Sequence, residues 1–206
     1  MGYAHKITKA TFSVLIFSIA TAVFGYILKI YLAHSLSIES FGLFYAVLSL
    51  ISLLFLLKDF GLGQALAKYL PEFQHKNQFT DLKSAVLSSY LFQLAAGVVL
   101  AAVFYFSSGY LALNFFHNPQ AELVLIVMLV EFIIAATTVK FTLQGMQLIK
   151  SYALMELLRV IFVFISVLFL ISLDAVGVAL SYLAASLTVQ IIFSLYIVSK
   201  TRKLVG

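Results

Sequence analysis

Six long apolar runs dominate this sequence. Each extends for about 20 residues or more, and two of the six contain no charged side chain. At about 1.5 Å rise per residue, a helix of about 20 residues crosses the hydrocarbon core of a bilayer. Barrel strands would alternate polar and apolar residues over about ten positions instead. The runs predict an all-α integral membrane protein, a six-transmembrane-helix bundle that forms a single membrane domain over 1–206. The predicted spans are at about 10–33, 41–66, 84–107, 121–148, 150–172 and 175–199.

Composition excludes a water-soluble domain. Apolar side chains make up 63% of the chain and charged ones 10%, whereas a soluble protein is about a quarter charged. The chain has no cysteine, which excludes a disulfide framework, a thiolate metal site and a cysteine nucleophile. We therefore look for function among the polar groups inside the spans.

The ends of the runs carry recognisable signals. The first run, 10–33, could also be interpreted as a signal peptide, because Ala33-His34-Ser35 resembles a cleavage site. Its apolar core is much longer than the 7–15 residues that are usual in signal peptides, so we interpret the run as a membrane span. Pro71 is predicted to end the helix after the second span, and Asn118-Pro119 predicts a turn. The short Leu173-Asp174 turn requires the fifth and sixth spans to be antiparallel neighbours.

Lysine and arginine outside the spans lie on one side of the predicted bundle. The tails and the alternate loops on that side, together with Lys140 and Lys150 near the junction of the fourth and fifth spans, hold ten of them. The opposite loops, 34–40, 108–120 and 173–174, hold none. The positive-inside rule places both termini in the cytoplasm of a multi-pass protein of the cell membrane. The same bias explains the net charge of +5 without a nucleic-acid partner.

Six ionisable residues fall inside the spans. Such groups are costly at membrane depth and usually face a protein interior or a watery cavity. They predict a polar cavity near the midplane, and they are Lys29, Lys58, Asp59, Glu131, Glu156 and Arg159.

Three of these charges also have a purely structural interpretation. Lys29 lies about four residues from a helix end and can extend to the lipid headgroups. Glu156 and Arg159 are three residues apart on one helix face and can neutralise each other. Lys58 and Asp59 are adjacent, so they point about 100° apart and cannot both face one partner. The six charges sum to zero, which does not favour an anionic substrate by itself.

Motifs of enzymes are missing from the sequence. It contains no HExxH or GxSxG pattern, and all four histidines lie in loops or at helix ends. Gly61-Leu62-Gly63 has no strand before it, so close helix packing or a flexible point explains it better than a phosphate-binding loop. We predict neither catalysis nor a cofactor or metal.

Two segments resemble the polysaccharide biosynthesis proteins, the oligosaccharide flippases of the MOP (multidrug/oligosaccharidyl-lipid/polysaccharide) superfamily. The segment Tyr31–Tyr45 contains Glu39 and Phe41-Gly42, as at that family's junction between the first and second spans. The segment Lys58–Leu70 contains Asp59-Phe-Gly-Leu-Gly63, which is similar to a second family segment. Two positions depart from the family, since His34 replaces its usual arginine and Ser37 a glycine.

The resemblance implies flipping of a lipid-linked oligosaccharide across the membrane by alternating access. It further implies that Arg159, Lys58 and Lys29 are candidate substrate-binding residues and that Asp59, Glu131 and Glu156 are candidate ion-coupling residues. Family members carry 12 to 14 spans as two six-helix bundles, so this chain resembles the N-terminal bundle alone. We therefore expect a truncated chain, or one that completes its cavity as a homodimer or with a second half-transporter. The alternatives are a multidrug or cation antiporter of the same superfamily and a non-transporting membrane subunit of a glycan-assembly complex.

Overall fold

The computed structural model is built entirely of helices over the residues that it describes, 3–135 and 137–205; side chains are described at 12, 14–135 and 137–201. The cationic side chains predicted at 6, 9, 202 and 203 lie outside that set. The helices are α1 (Tyr3–Ser35), α2 (Ile38–Asp59), α3 (Leu62–His75), α4 (Phe79–Phe106), α5 (Ser108–Asn114), α6 (Gln120–Ile134), α7 (Thr137–Gly145), α8 (Ile149–Leu170) and α9 (Asp174–Val205).

Among the described residues, five stretches are long and apolar enough to cross a membrane, which agrees with an all-α membrane protein. They are Val14–Ser35, Ile38–Asp59, Phe79–Phe106, Gln120–Gly145 and Ile149–Thr201. The last stretch contains 53 residues and holds two helices, α8 and α9, which a 3₁₀ turn at Ile171–Leu173 joins and which pack against each other. The hydroxyl of Ser151 donates to the Tyr196 hydroxyl at 3.3 Å, so the start of α8 meets the end of α9 and the pair is antiparallel.

The predicted second span is interrupted. Phe60 and Gly61 both adopt left-handed backbone conformations, with φ of 46° and 77°, and these end α2 and turn the chain into α3. Gly61 adopts such a φ without steric cost because it has no Cβ. The predicted role of Pro71 is wrong, since this proline lies inside α3 and does not end a helix.

The predicted fourth span is interrupted as well. Ala135 ends α6 with an extended backbone (ψ 92°), and a new helix, α7, starts at Thr137. Next to this junction, α7 packs closely on α3. A Cβ added at Gly145 would lie 2.8 Å from the Leu66 carbonyl oxygen, and one at Gly63 would overlap the Phe141 ring. Close packing at Gly63 and a turn at Gly61 agree with the structural explanation of this glycine pair.

Helix α6 lies at the centre of the bundle and contacts α2, α4, α5 and α9. Its side chains Leu125, Met128 and Phe132 are almost fully buried against Phe44 and Ile51 of α2. In contrast, α1 is peripheral and packs mainly on α8. Many large apolar side chains of the outer helices are exposed, for example Phe106 at 86%. Such a surface suits contact with lipid rather than water.

Hydrogen bonds join the helices at the end of the bundle opposite to the start of α8. Ser37 caps α2, because its hydroxyl accepts from the Ser40 backbone N–H, and the Ser40 hydroxyl donates to Asp174 at the start of α9 at 2.6 Å. The Asn118 amide donates to Glu39 at 2.9 Å. The predicted turn at Asn118-Pro119 is present and precedes α6.

Candidate functional site

A polar cavity of about 270 Å³ lies beside the α6–α7 junction. Four charged side chains line it: Glu131 from α6, Lys140 from α7, and Glu156 and Arg159 from α8. Thr137, Ser186 and Gln190 add polar groups, and Phe55 and Met155 are among the apolar lining residues. The cavity thus combines two cations and two carboxylates within an otherwise apolar bundle.

Glu156 links the two cations of the cavity. Its Oε1 lies 3.1 Å from Lys140 Nζ, and its Oε2 lies 3.9 Å from Arg159 Nε. The first pair joins α7 to α8, whereas the second lies within α8. The Arg159 side chain remains 41% exposed, and its contact with Glu156 is long for a hydrogen bond. Arg159 is therefore only partly neutralised and can still bind an anion.

Glu131 is the most deeply buried charged residue of the cavity, with 3% exposure. The Ser186 hydroxyl of α9 donates to its Oε1 at 2.7 Å. A buried carboxyl group with a single neutral donor is costly to ionise, which suits a site that can take up and release a proton or cation. The geometry thus permits Glu131 to bind and release a proton or cation.

Lys58 does not line the cavity; it is buried in the bundle with 1% exposure. Its ammonium group donates to the carbonyl oxygens of Phe132, Ile133 and Ala135, the last two at 3.1 Å. These are carbonyls that the end of α6 leaves without a helical partner. Its aliphatic chain passes Gly97 of α4, where a Cβ would lie 3.0 Å from Lys58 Cε. Lys58 therefore caps the interrupted helix.

Asp59 approaches the other side of the same junction. Its Oδ1 accepts from the Thr137 hydroxyl at 2.6 Å, at the start of α7, and from the Gln93 amide of α4 at 2.9 Å. Gln93 is fully buried, and its Oε1 accepts from the Thr138 backbone N–H and hydroxyl. Since the N-terminus of a helix favours negative charge, this network stabilises the start of α7.

Lys29 lies apart from both groups. It is exposed on α1, and its ammonium group stands 5.5 Å from the centre of the Tyr45 ring on α2. Of the six predicted residues, the cavity thus brings together Glu131, Glu156 and Arg159. Lys58 and Asp59 contact the adjoining α6–α7 junction instead.

Sequence reasoning missed Lys140 as a cavity residue. In the predicted fourth span, 121–148, an uninterrupted helix would place Lys140 near the cytoplasmic end, away from the cavity. The junction at Ala135 places Lys140 in a new helix, α7, beside Glu156 of α8. Two consecutive threonines, Thr137 and Thr138, are the only local signal, since such residues favour helix starts over helix interiors.

Within the described residues, no group of histidine, cysteine, aspartate or glutamate side chains is arranged to hold a metal ion. The cavity presents an arginine and a lysine that can bind anionic oxygens, and carboxylates that can bind protons or cations.

Comparison with known proteins agrees with this membrane architecture. The chain is 28% identical to the uncharacterized membrane protein MJ1068 of Methanocaldococcus jannaschii, over 97% of this chain and 42% of that protein. The chain thus spans less than half the length of this curated relative. No solved structure matches the chain.

The model of the polysaccharide biosynthesis protein family matches residues 7–204, which is nearly the whole chain. This match includes every element that builds the cavity and the α6–α7 junction. The resemblance that was based on Glu39, Gly42 and the Asp59–Gly63 segment is confirmed. The chain belongs to the polysaccharide biosynthesis protein family.

Proposed function

We propose that this chain is half of a flippase that moves a lipid-linked oligosaccharide across the cell membrane. The observation that carries the proposal is the polar cavity, in which the partly exposed Arg159 lies within an apolar helical bundle. Membership of the polysaccharide biosynthesis family supports a substrate that is a precursor of a glycan. Because two cations and two carboxylates line the cavity and suit the binding of a charged substrate, we assign it to transport.

In the proposed topology the chain crosses the membrane six times. The 53-residue stretch would cross twice, since its two antiparallel helices are each long enough to span about 30 Å. The end of the bundle with the starts of α4 and α8 would face the cytoplasm, because the excess of lysine lies there. Both termini would then be cytoplasmic.

We propose that Arg159 binds the phosphate groups of the substrate and that Lys140 of α7 is a second cation for them. A guanidinium group can hold two phosphate oxygens at once, which gives Arg159 the larger share of the binding energy. Lys58 would act indirectly, by holding the carbonyls of α6 in place. Lys29 would contact lipid headgroups at the surface.

Three acidic residues remain candidates for coupling transport to a proton or cation gradient. Glu131 and Glu156 line the cavity, and Asp59 lies at the α6–α7 junction. Glu131 is the first choice, because it is buried and holds no direct salt bridge at hydrogen-bond distance. Neutralising the carboxylate would remove a negative charge that competes with the substrate's phosphates for Arg159.

The proposed mechanism is alternating access between two bundles. Interrupted helices near a midplane site are a common feature of transporters, and here α2–α3 and α6–α7 are both interrupted. One bundle cannot enclose a cavity large enough for an oligosaccharide. We therefore propose that a second six-helix bundle supplies the opposite wall, as part of a longer chain that includes this one, as a second copy of this chain or as a second half-transporter.

Replacement of Arg159 by alanine tests the proposal. Arg159→Ala should abolish glycan export in a strain that depends on this protein while leaving membrane insertion unchanged. Lys150→Ala removes an exposed cation from the first turn of the same helix and serves as the matched control. Export at the wild-type level in Arg159→Ala would show that this arginine only neutralises Glu156 and would overturn the proposal.

A cation or drug antiporter is the second candidate function. The two carboxylates of the cavity favour it, since they would bind a cationic substrate. Glu131→Gln would then abolish cation-driven transport in proteoliposomes, and Arg159→Ala would leave it intact. A non-transporting subunit of a glycan-assembly complex would tolerate both substitutions.

A further inference from the structure

We infer that the end of α6 is a binding site for a primary ammonium ion, and that Lys58 fills this site from within the chain. The site consists of three backbone carbonyl oxygens and two aromatic rings. The carbonyls belong to Phe132, Ile133 and Ala135, and the rings to Phe55 and Phe132. We call it the ammonium site. The inference is independent of the proposed flippase activity.

The number of acceptors in the ammonium site matches a primary ammonium group. Such a group has three N–H donors and no acceptor. Three carbonyl oxygens accept from Lys58 Nζ, and those of Ile133 and Ala135 lie 3.1 Å from it. These carbonyls are available because α6 ends there, and they lie at the negative end of its helix dipole. The end of α6 therefore offers one partner to each donor of the ammonium group.

Two aromatic rings add a second kind of contact with the cation. The centre of the Phe132 ring lies 4.8 Å from Lys58 Nζ, and the centre of the Phe55 ring lies 5.7 Å from it. The two rings meet edge to face, with 5.0 Å between their centres. Aromatic rings within about 6 Å attract a cation, most strongly where water is excluded. Lys58 is 1% exposed, so this condition is met.

The composition of the site favours an ammonium group over a metal ion. Hard metal ions such as Ca²⁺ take about six or more oxygen ligands. The ammonium site presents three oxygens, and its aromatic rings supply none. The carboxylate of Asp59, the next residue after Lys58, accepts from Thr137 and Gln93 instead. The site is thus specific for a cation that donates hydrogen bonds.

Gly97 of α4 leaves room for the hydrocarbon part of the ligand. A Cβ at this position would lie 3.0 Å from Lys58 Cε and 3.3 Å from Lys58 Nζ. The lysine side chain therefore passes closely over a residue that has no side chain. Lys58→Ala would leave a channel beside Gly97 that ends at the three carbonyl oxygens. Ethylammonium is shorter than the part of the side chain that is removed, so it fits this channel.

Lys58→Ala in the full chain tests the ammonium site. In detergent, ethylammonium chloride should raise the unfolding temperature of this variant by about 4 °C when its concentration is about ten times its dissociation constant. Ethanol has a similar shape without the charge, and KCl supplies the same ionic strength. Neither should raise the unfolding temperature by more than about 1 °C.

Three further proteins serve as comparisons. The wild type should not respond to ethylammonium, because its own lysine fills the site. Lys150→Ala removes an exposed lysine and should not respond either. Lys58→Arg keeps the charge, but its planar guanidinium group directs five donors differently from an ammonium group. We therefore expect Lys58→Arg to unfold at a lower temperature than the wild type.

Two results would overturn the inference. One is an equal effect of ethylammonium, ethanol and KCl on Lys58→Ala; the other is a Lys58→Arg variant as stable as the wild type. If Lys58→Ala unfolds during extraction from the membrane, the readout becomes the fraction recovered in folded form. Ethylammonium in the extraction buffer should raise this fraction, and recovery no better than with ethanol would equally overturn the inference.

Discussion

Lys58 and Asp59, neighbours in sequence, contact opposite sides of the α6–α7 junction. The Lys58 ammonium group donates to carbonyl oxygens at the end of α6, and the Asp59 carboxylate accepts from Thr137 at the start of α7. The two charges therefore match the partial charges of the two helix ends, negative at a C-terminus and positive at an N-terminus. Although the side chains of Lys58 and Asp59 point in different directions and cannot share a partner, together they stabilise the α6–α7 junction from both sides.

Loss of the Lys58 ammonium group should destabilise the bundle. Lys58→Leu leaves the carbonyl oxygens of Phe132, Ile133 and Ala135 at the α6–α7 junction without their donor, and we expect a loss of about 2–4 kcal/mol. Thermal unfolding in detergent, followed by helical circular dichroism, measures this loss. Lys150→Leu makes the same substitution at an exposed position and should have little effect. Equal stability of the two variants would contradict the capping role.

Two substitutions of Asp59 should distinguish a structural role of this residue from a role in ion coupling. In Asp59→Asn the side-chain oxygen can still accept from Thr137 and Gln93, so the fold should persist with a loss of about 1 kcal/mol. Asp59→Ala removes the acceptor and should cost about 2 kcal/mol or more. If Asp59 also carries the coupling ion, export should fail in both variants. Full export by Asp59→Asn would assign this residue to structure alone.

Gly145 should tolerate no side chain, because α7 meets α3 there. Gly145→Ala places a Cβ 2.8 Å from the Leu66 carbonyl oxygen and 2.9 Å from Leu70 Cβ. We expect it to destabilise the protein by about 1–3 kcal/mol. Gly42→Ala in α2 is the control, since no atom lies within 4 Å of its added Cβ and alanine favours a helix. It should be neutral or stabilising in the same melting experiment, and a loss as large as that of Gly145→Ala would refute the packing argument.

The pKa of Glu72 on α3 should lie below the ordinary value of a glutamate. The Lys76 ammonium group donates to Glu72 Oε1 at 2.7 Å, and this hydrogen bond, followed by the charge of Lys76, lowers the pKa of Glu72. Because the folded-state pKa is lowered, the small stabilisation is present at neutral pH and is lost as the pH falls through that pKa. NMR titration of the Glu72 side chain should show the pKa rise in Lys76→Gln. Lys68→Gln should change it less, since Lys68 acts only through its charge; an equal change in both variants would contradict the hydrogen bond.

Hydropathy alone determined that this protein consists of apolar helices in a membrane, and the short Leu173-Asp174 turn determined that α8 and α9 are antiparallel. Both conclusions depend on local properties, namely the length of an apolar run and the length of a connection. The glycine pair at 61 and 63 indicated close helix packing or a flexible point, and the structure shows close packing at Gly63, where an added Cβ would overlap the Phe141 ring.

Only the tertiary structure decided where two of the helices are interrupted and which charges meet. An apolar run looks the same whether its helix continues or ends at Ala135, because the groups that satisfy the freed carbonyls come from Lys58, up to 77 positions earlier in the chain. For the same reason, the sequence placed Lys58 in the cavity and Lys140 outside it, whereas packing of α7 against α8 reverses these positions. The cost of burying a charge can be predicted from sequence, but the partner that offsets it depends on how the helices pack.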